Sequence, residues 1–220
     1  MMIVIAAVFA LVGASSVMAS DQKAQTMDPN SILFSVPTMS NDLAPVDPVL
    51  EKPRQSDLAF HEDEWSQVEF FANGQLAMVQ RTLKEYKPFE AANHAEYGWR
   101  NTYVRKIDRA MVIFGGGAVA RLEAIFGSKA GPAPVLFSTT STTGRVKDGF
   151  SLPLGGNVTL YGYATPAGIP VLGALIGDNP DHHKLVEGFV KLNTTEGLVL
   201  VDWRQQMVLE SVGSNAKIGV

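Results

Sequence analysis

The chain has 220 residues, a formal net charge of −4 and no cysteine. The lack of cysteine excludes disulfides, thiolate metal ligands and a cysteine nucleophile, and the acidic balance gives no general attraction to nucleic acid. With 46% hydrophobic and 18% charged residues, the composition is typical of a globular protein with a sizeable core.

The N-terminus carries the pattern of an export signal. Residues 3–12 form an unbroken apolar run, and Val17-Met18-Ala19 supplies the small-x-small ending that a signal peptidase cleaves. No Lys or Arg precedes the run, so only the terminal amine provides positive charge there. We predict a signal peptide over residues 1–19 and a periplasmic or extracellular location. No later segment is long and apolar enough to be a predicted membrane span.

Residues 20–56 differ in composition from the rest of the chain. Five prolines recur among Asp, Ser, Asn and Thr, and Phe34 is the only aromatic residue. Such a composition is typical of a segment that buries too little apolar surface to offset the conformational entropy lost when it becomes ordered. We therefore predict a flexible proline-rich tether over residues 20–56, with a short apolar piece at residues 32–36 that can dock on a folded domain at residues 57–220.

The first half of that domain contains both element types. Trp65–Phe71 is predicted as a strand, and Asn73 is placed to cap a helix whose apolar residues then recur at helical spacing. Pro88 is expected to interrupt this helix or to begin a second one. Residues 99–107 favour a strand, and a further short helix is expected to end at Gly127.

The second half is rich in strands bounded by Gly and Pro. The predicted strands are Pro134–Ser138, Gly149–Leu154, Val158–Ala164, Ile169–Ile176, Gly197–Trp203 and Met207–Val212. The third and fourth are expected to form an antiparallel hairpin, as are the last two. Between these pairs, Asn179 as cap and Pro180 at the first position are predicted to open a helix. The pattern predicts a single α+β domain, a mainly antiparallel sheet with two or three helices packed on one face.

A glycine run raises the question of nucleotide binding. Gly115, Gly117 and Ala120 fit G-x-G-x-x-[GA], which requires a βαβ unit and an acidic residue about 20 positions further on. Ser138-Thr139-Thr140 stands at that point, and the first acid after the predicted helix is Asp148. We therefore interpret the glycines as structural and predict no cofactor.

Other catalytic or metal motifs are incomplete. His61-Glu62-Asp63-Glu64 lacks the second His that H-E-x-x-H requires at Trp65, and the adjacent His182 and His183 diverge on a helix. The mature chain has no G-x-S-x-G motif. No metal site is predicted, and a hydrolytic Asp/Glu/His site can arise only through tertiary folding. The polar residues 138–144 are either a connection between strands or hydroxyl groups for an anion or glycan. Asn157 and Asn193 begin glycosylation sequons, which matter only in a eukaryotic source.

The stretch YGWRNTYVRKIDR is the densest mixture of aromatic and basic residues in the chain. On a continuous strand, Trp99, Tyr103 and Arg105 point to one face and Arg100 to the other. These four residues are the binding candidates, because aromatic and guanidinium groups anchor interfaces; the alternative is that the aromatic rings fill the core.

The function predicted from these observations is an exported, non-enzymatic domain that binds a protein or envelope component. A secreted hydrolase and a structural subunit of a secretion or surface assembly are the alternatives. The sequence does not define an oligomeric state.

Overall fold

The computed structural model describes residues 33–49, 53–54, 57–138, 142–211 and 218–219. Its helices are α1 (Leu76–Asn93), α2 (Ala118–Phe126) and α3 (His182–Glu196). The strands, in chain order, are β1 (Thr38–Ser40), β2 (Val46–Asp47), β3 (Ala59–His61), β4 (Val68–Ala72), β5 (His94–Ala95), β6 (Gly98–Trp99), β7 (Tyr103–Arg105), β8 (Ile113–Phe114), β9 (Val135–Phe137), β10 (Thr142–Val146), β11 (Gly149–Gly155), β12 (Val158–Thr165), β13 (Gly168–Ile176), β14 (Leu198–Asp202), β15 (Met207–Leu209) and β16 (Ile218–Gly219). The described part of the chain is a mixed α+β structure in which strands dominate, as predicted. The predicted signal peptide and residues 20–32 of the predicted tether lie outside the described residues.

An eight-stranded sheet forms the centre of the fold. Its strands follow the order β11-β12-β13-β4-β14-β15-β16, and β8 pairs with β13. The predicted hairpins β12–β13 and β14–β15 are both confirmed. At the β11 edge, Ser151 exchanges backbone hydrogen bonds with Gly131, and Pro153 lacks an N–H group with which to pair. The edge is thus protected against pairing with another strand.

Three smaller sheets accompany the central one. Strands β2, β10, β9 and β3 form a four-stranded sheet in that order, while β1 pairs with β7 and β5 with β6. The pairings β1–β7 and β3–β9 are parallel. All the other strand pairings in the described ranges are antiparallel.

Both faces of the central sheet are covered. On the first face, Phe70 of β4 and Leu200 of β14 pack in one cluster with Leu122 of α2 and with Phe189 and Leu192 of α3. Their neighbours on the same strands point to the second face, since side chains alternate along a strand. Two of the helices thus pack on one face, and α1 does not join them.

The second face is covered in two parts. Phe71 and Val201 pack with Val79 and Leu83 of α1, whereas Tyr161 of β12 packs in a separate cluster with residues of the four-stranded sheet. Strands β4 and β14 are apolar at almost every position, so both of their faces must be covered. The predicted arrangement, with two or three helices packed on one face, is therefore not confirmed, because α1 packs on the opposite face from α2 and α3.

Several predicted boundaries are wrong. Helix α1 continues through Pro88, and Asn73 does not cap it, because Asn73–Gln75 is a separate 3₁₀ turn. Asn179 is not the cap of α3 either; Asp181 is, and its carboxylate accepts a hydrogen bond from the His183 N–H. In the described ranges, no helix has the length and hydropathy needed to cross a membrane.

Residues 33–49, part of the predicted tether, lie on the domain. They contribute strands β1 and β2, and Val36, Thr38 and Ala44 are buried. We call these residues the N-terminal segment. The docking expected for the apolar piece at residues 32–36 is seen at Phe34, which forms a β-bridge with Trp99.

Candidate functional site

The predicted continuous strand over residues 99–107 is broken in the structure. Trp99 ends β6, which pairs with β5, and Tyr103 begins β7, which pairs with β1. Arg100 lies between them, exposed, and its N–H donates to the Asn93 carbonyl. Because the strand is interrupted, simple alternation does not place Trp99, Tyr103 and Arg105 on a common face.

Trp99 is half-buried and held from several sides. Its Nε1 donates to Glu90 Oε1 at 3.0 Å, and its ring meets the edge of the His94 imidazole, with 5.9 Å between ring centroids. Its backbone exchanges two hydrogen bonds with Phe34. The indole is therefore fixed in place with part of its surface accessible.

Tyr103 is mainly a packing residue. Its ring packs against those of Tyr86 and Phe89, with centroid distances of 5.4 and 5.3 Å. Burial raises the pKa of Tyr103, and the nearby Glu85 carboxylate raises it further. The phenol therefore stays neutral at physiological pH.

Arg105 lies in the interior. Its Nη1 donates to Thr38 Oγ1 at 3.1 Å and its Nη2 to the Ser66 carbonyl at 2.9 Å. The guanidinium carbon stands 4.9 Å from the centroid of the Trp203 ring. Burial lowers the pKa of Arg105 to about 10, so the side chain remains charged at neutral pH. Since Arg105 is fully buried, it cannot serve as a surface contact in this conformation.

Arg105 belongs to a cluster of buried charges on the second face of the central sheet. Glu69, fully buried on β4, accepts a hydrogen bond from Trp203 Nε1 at 2.8 Å and another from Arg109 Nη1. Arg109 Nε also donates to Asp42 Oδ2 at 2.7 Å. Burial opposes the charge of Arg109, but the two carboxylates outweigh it and raise the pKa of Arg109. Two cations thus face two anions, and among these four side chains Asp42 is the most exposed, at 32%.

The contacts of this buried charge cluster join separate elements of the fold. Both guanidinium groups have carboxylate, hydroxyl or carbonyl partners, but within the described residues the buried Arg105 Nε and Arg109 Nη2 donate to no acceptor. Burial raises the pKa values of the neighbouring phenols of Tyr86 and Tyr161. Tyr161 OH accepts the Ser66 N–H at 2.9 Å. A phenol with a raised pKa is a poorer nucleophile or base at neutral pH. The cluster joins β4, β7, the N-terminal segment and the turn at Trp203.

The glycine run does not lie in a βαβ unit. Strand β8 before α2 pairs with β13 of the central sheet, while β9 after α2 belongs to the four-stranded sheet. Gly115 and Gly117 have φ angles of 86° and 71°, which favour glycine because a Cβ is strained there. The glycines thus shape the entry into α2, as the structural interpretation expects.

The candidate metal residues are spread over separate elements. His61 ends β3, and its Nδ1 accepts the N–H of Asp63 in the 3₁₀ turn Glu62–Glu64. His182 and His183 lie in the first turn of α3. Among the described residues, no three His, Cys, Asp or Glu side chains form a group suited to a metal ion. Of the candidate hydroxyl loop, residues 139–141 lie outside the described residues.

The accessible part of the candidate region is an aromatic surface, which we define as Phe34, Tyr97, Trp99 and Arg100. Tyr97 is 83% exposed and Phe34 46% exposed. A Cβ built on Gly98 would lie 2.6 Å from the Phe34 carbonyl oxygen. The hairpin of β5 and β6 and the N-terminal segment are therefore in close contact here. The sequence analysis expected residues 32–36 to dock on the domain but did not include Phe34 among the binding candidates.

Comparison of the chain with protein-family models, with curated proteins and with solved structures found no match.

Proposed function

We propose that the protein is an exported, non-enzymatic domain that binds a protein or an envelope component through the aromatic surface. The observation that carries this proposal is the partly accessible Trp99, which Glu90, His94 and Phe34 hold in place, close in the chain to the exposed Tyr97. Aromatic side chains that are already held in place lose little entropy on binding and contribute much of the energy of an interface.

The hairpin is held by polar contacts on each side. The adjacent Glu96 carboxylate raises the pKa of Tyr97, so the exposed phenol stays neutral at physiological pH. Trp99 Nε1 donates a hydrogen bond to Glu90 Oε1, and Asn101 Nδ2 donates to Asn93 Oδ1 at 2.9 Å. Arg100 adds an exposed positive charge in an acidic protein, which suits a partner surface that carries carboxylates.

A single folded domain that includes the N-terminal segment is part of the proposal. Its support is that residues 32–220 cluster in one compact unit. Export is proposed on the pattern of residues 1–19 alone. Protein from an envelope fraction is expected to have the intact mass of a chain that starts at Ser20, and recovery of the uncleaved chain in the cytosol would contradict export.

Binding is tested by retention of a partner from envelope extract on the immobilised protein. Tyr97→Ala and Arg100→Glu are expected to reduce retention of the same partner at least several-fold. Phe114→Ala is the matched control, since Phe114 is 66% exposed but lies on β8, outside the aromatic surface. Equal retention by all three variants and the parent protein would refute the aromatic surface as the binding site.

A further inference from the structure

The N-terminal segment contacts the domain in the manner of a bound peptide. Strand β1 pairs in parallel with β7, with Met39 opposite Val104, and β2 pairs with β10. From Thr38 to Asp47 every even-numbered residue is more buried than the odd-numbered residues beside it. This period of two is typical of a strand that lies on a binding groove with alternate side chains inward.

The groove recognises particular side chains as well as backbone. Gln67 Nε2 donates to the Thr38 carbonyl at 2.7 Å, and Arg105 donates to the Thr38 hydroxyl. Further along, Arg109 Nε binds the Asp42 carboxylate. A hydroxyl and a carboxylate four residues apart thus meet two arginines of the domain.

The domain core is largely complete without this segment. Two of its three apolar clusters contain no residue of the segment, and the third contains only Ala44, with Val46 packed against it. Departure of the segment would, however, remove Asp42 from Arg109 and the hydroxyl of Thr38 from the buried Arg105. Buried charges that lose a partner are costly, so the groove favours an occupant with the same chemistry.

We propose that this groove accepts residues 33–49 of a second copy of the chain, so that two copies exchange their N-terminal segments. Such an exchange preserves each contact described above, because the same side chains meet the same groove. Seven residues separate Val49 from Asp57, and the chain between these two can span about 26–29 Å when extended. The proposal does not depend on the aromatic surface.

The test uses cysteines placed in the full chain, which has none of its own. Met39→Cys and Val104→Cys lie at paired positions, and Val104 is 53% exposed, so both substitutions are expected to leave the fold intact. The two single variants are mixed, unfolded, refolded together at high concentration and oxidised. The expected product is a disulfide-linked dimer that contains one chain of each variant.

Two companion samples make the result decisive. The double variant in one chain reports whether the pair can form a disulfide at all. Met39→Cys mixed with Phe114→Cys reports random cross-linking, since Phe114 lies outside the groove. A mixed dimer several-fold more abundant than this background supports exchange. A mixed dimer no more abundant than background overturns the proposal, and a double variant that forms no disulfide contradicts the pairing of Met39 with Val104 on which the proposal rests. Neither readout involves Tyr97 or Arg100, so failure of the exchange proposal can be distinguished from failure of the proposed partner binding.

Discussion

Replacement of Glu69 by glutamine tests whether the buried charge cluster stabilises the fold. The amide keeps the size of the carboxylate, but it loses the charge that faces Arg105 and Arg109 and the full acceptor capacity for Trp203 and Arg109. Among the described residues, Asp42 then remains as the one anion in contact with Arg109. Removal of one partner from a buried ion pair costs about 3–5 kcal/mol.

That loss is large on the scale of domain stability. A typical domain unfolds with about 5–15 kcal/mol, and for 150–250 residues each kcal/mol corresponds to about 2–4 °C in Tm. We therefore expect Glu69→Gln to lower Tm by roughly 6–20 °C, as measured by circular dichroism and by urea denaturation. Glu64→Gln is the matched control, because Glu64 pairs at 3.5 Å with Arg204 at the surface, where a pair contributes about 1 kcal/mol or less.

A double-mutant cycle separates the ion pair from local packing. Arg109→Met is expected to be destabilising alone, and the double variant should lose about 1–3 kcal/mol less than the sum of the two single losses. A Glu69→Gln variant as stable as Glu64→Gln, or single losses that add without coupling, would refute the structural role assigned to the buried charges.

Three further predictions concern the same domain. Gly117→Ala should cost about 1–2 kcal/mol because of its left-handed backbone, whereas Gly116→Ala, with φ outside that region and open space around its Cβ, should be close to neutral; equal losses in urea denaturation would contradict this. Trp203→Phe should keep a ring beneath the buried guanidinium but cost about 1–3 kcal/mol through the lost indole hydrogen bond, again by urea denaturation, and an unchanged midpoint would argue against that bond. The Arg54 N–H and the Arg145 guanidinium lower the pKa of Asp57, so its ionised form stabilises the folded state above the ordinary Asp pKa, and this contribution is lost as pH falls through the lowered value. Asp57→Asn should therefore be destabilising at pH 7 and nearly neutral at low pH, and a difference in unfolding free energy that does not change with pH would contradict the assignment.

Local patterns in the sequence determined much of the second half of the domain. The hairpin β12–β13, the end of α2 at Gly127 and the hairpin β14–β15 depend on turn residues and on apolar periodicity, which act over a few positions. Boundaries were less predictable. Pro88 removes only one hydrogen-bond donor from α1. The helix continues past it, with Val79, Leu83 and Tyr86 packed on its buried face.

Trp99 and Arg100 of the aromatic surface were candidates from the sequence, but tertiary structure alone decided the buried charge cluster. An acid within the apolar run Val68–Phe71 is a signal of burial, but nothing in the sequence says that Arg109, forty positions later, neutralises Glu69. The burial of Arg105 could not be predicted either, because its partners Thr38 and Ser66 come from distant parts of the chain.

The packing of the N-terminal segment on the domain could not be predicted from its sequence either. Its composition of prolines and short polar residues predicts that it cannot form a core of its own. It packs nevertheless, because β7 supplies backbone partners and Gln67, Arg105 and Arg109 supply donors for its polar side chains and carbonyl groups. The sequence therefore determined which elements form locally, while the tertiary structure decided which buried charges meet and which strand the N-terminal segment joins, because those contacts link residues that are far apart in the chain.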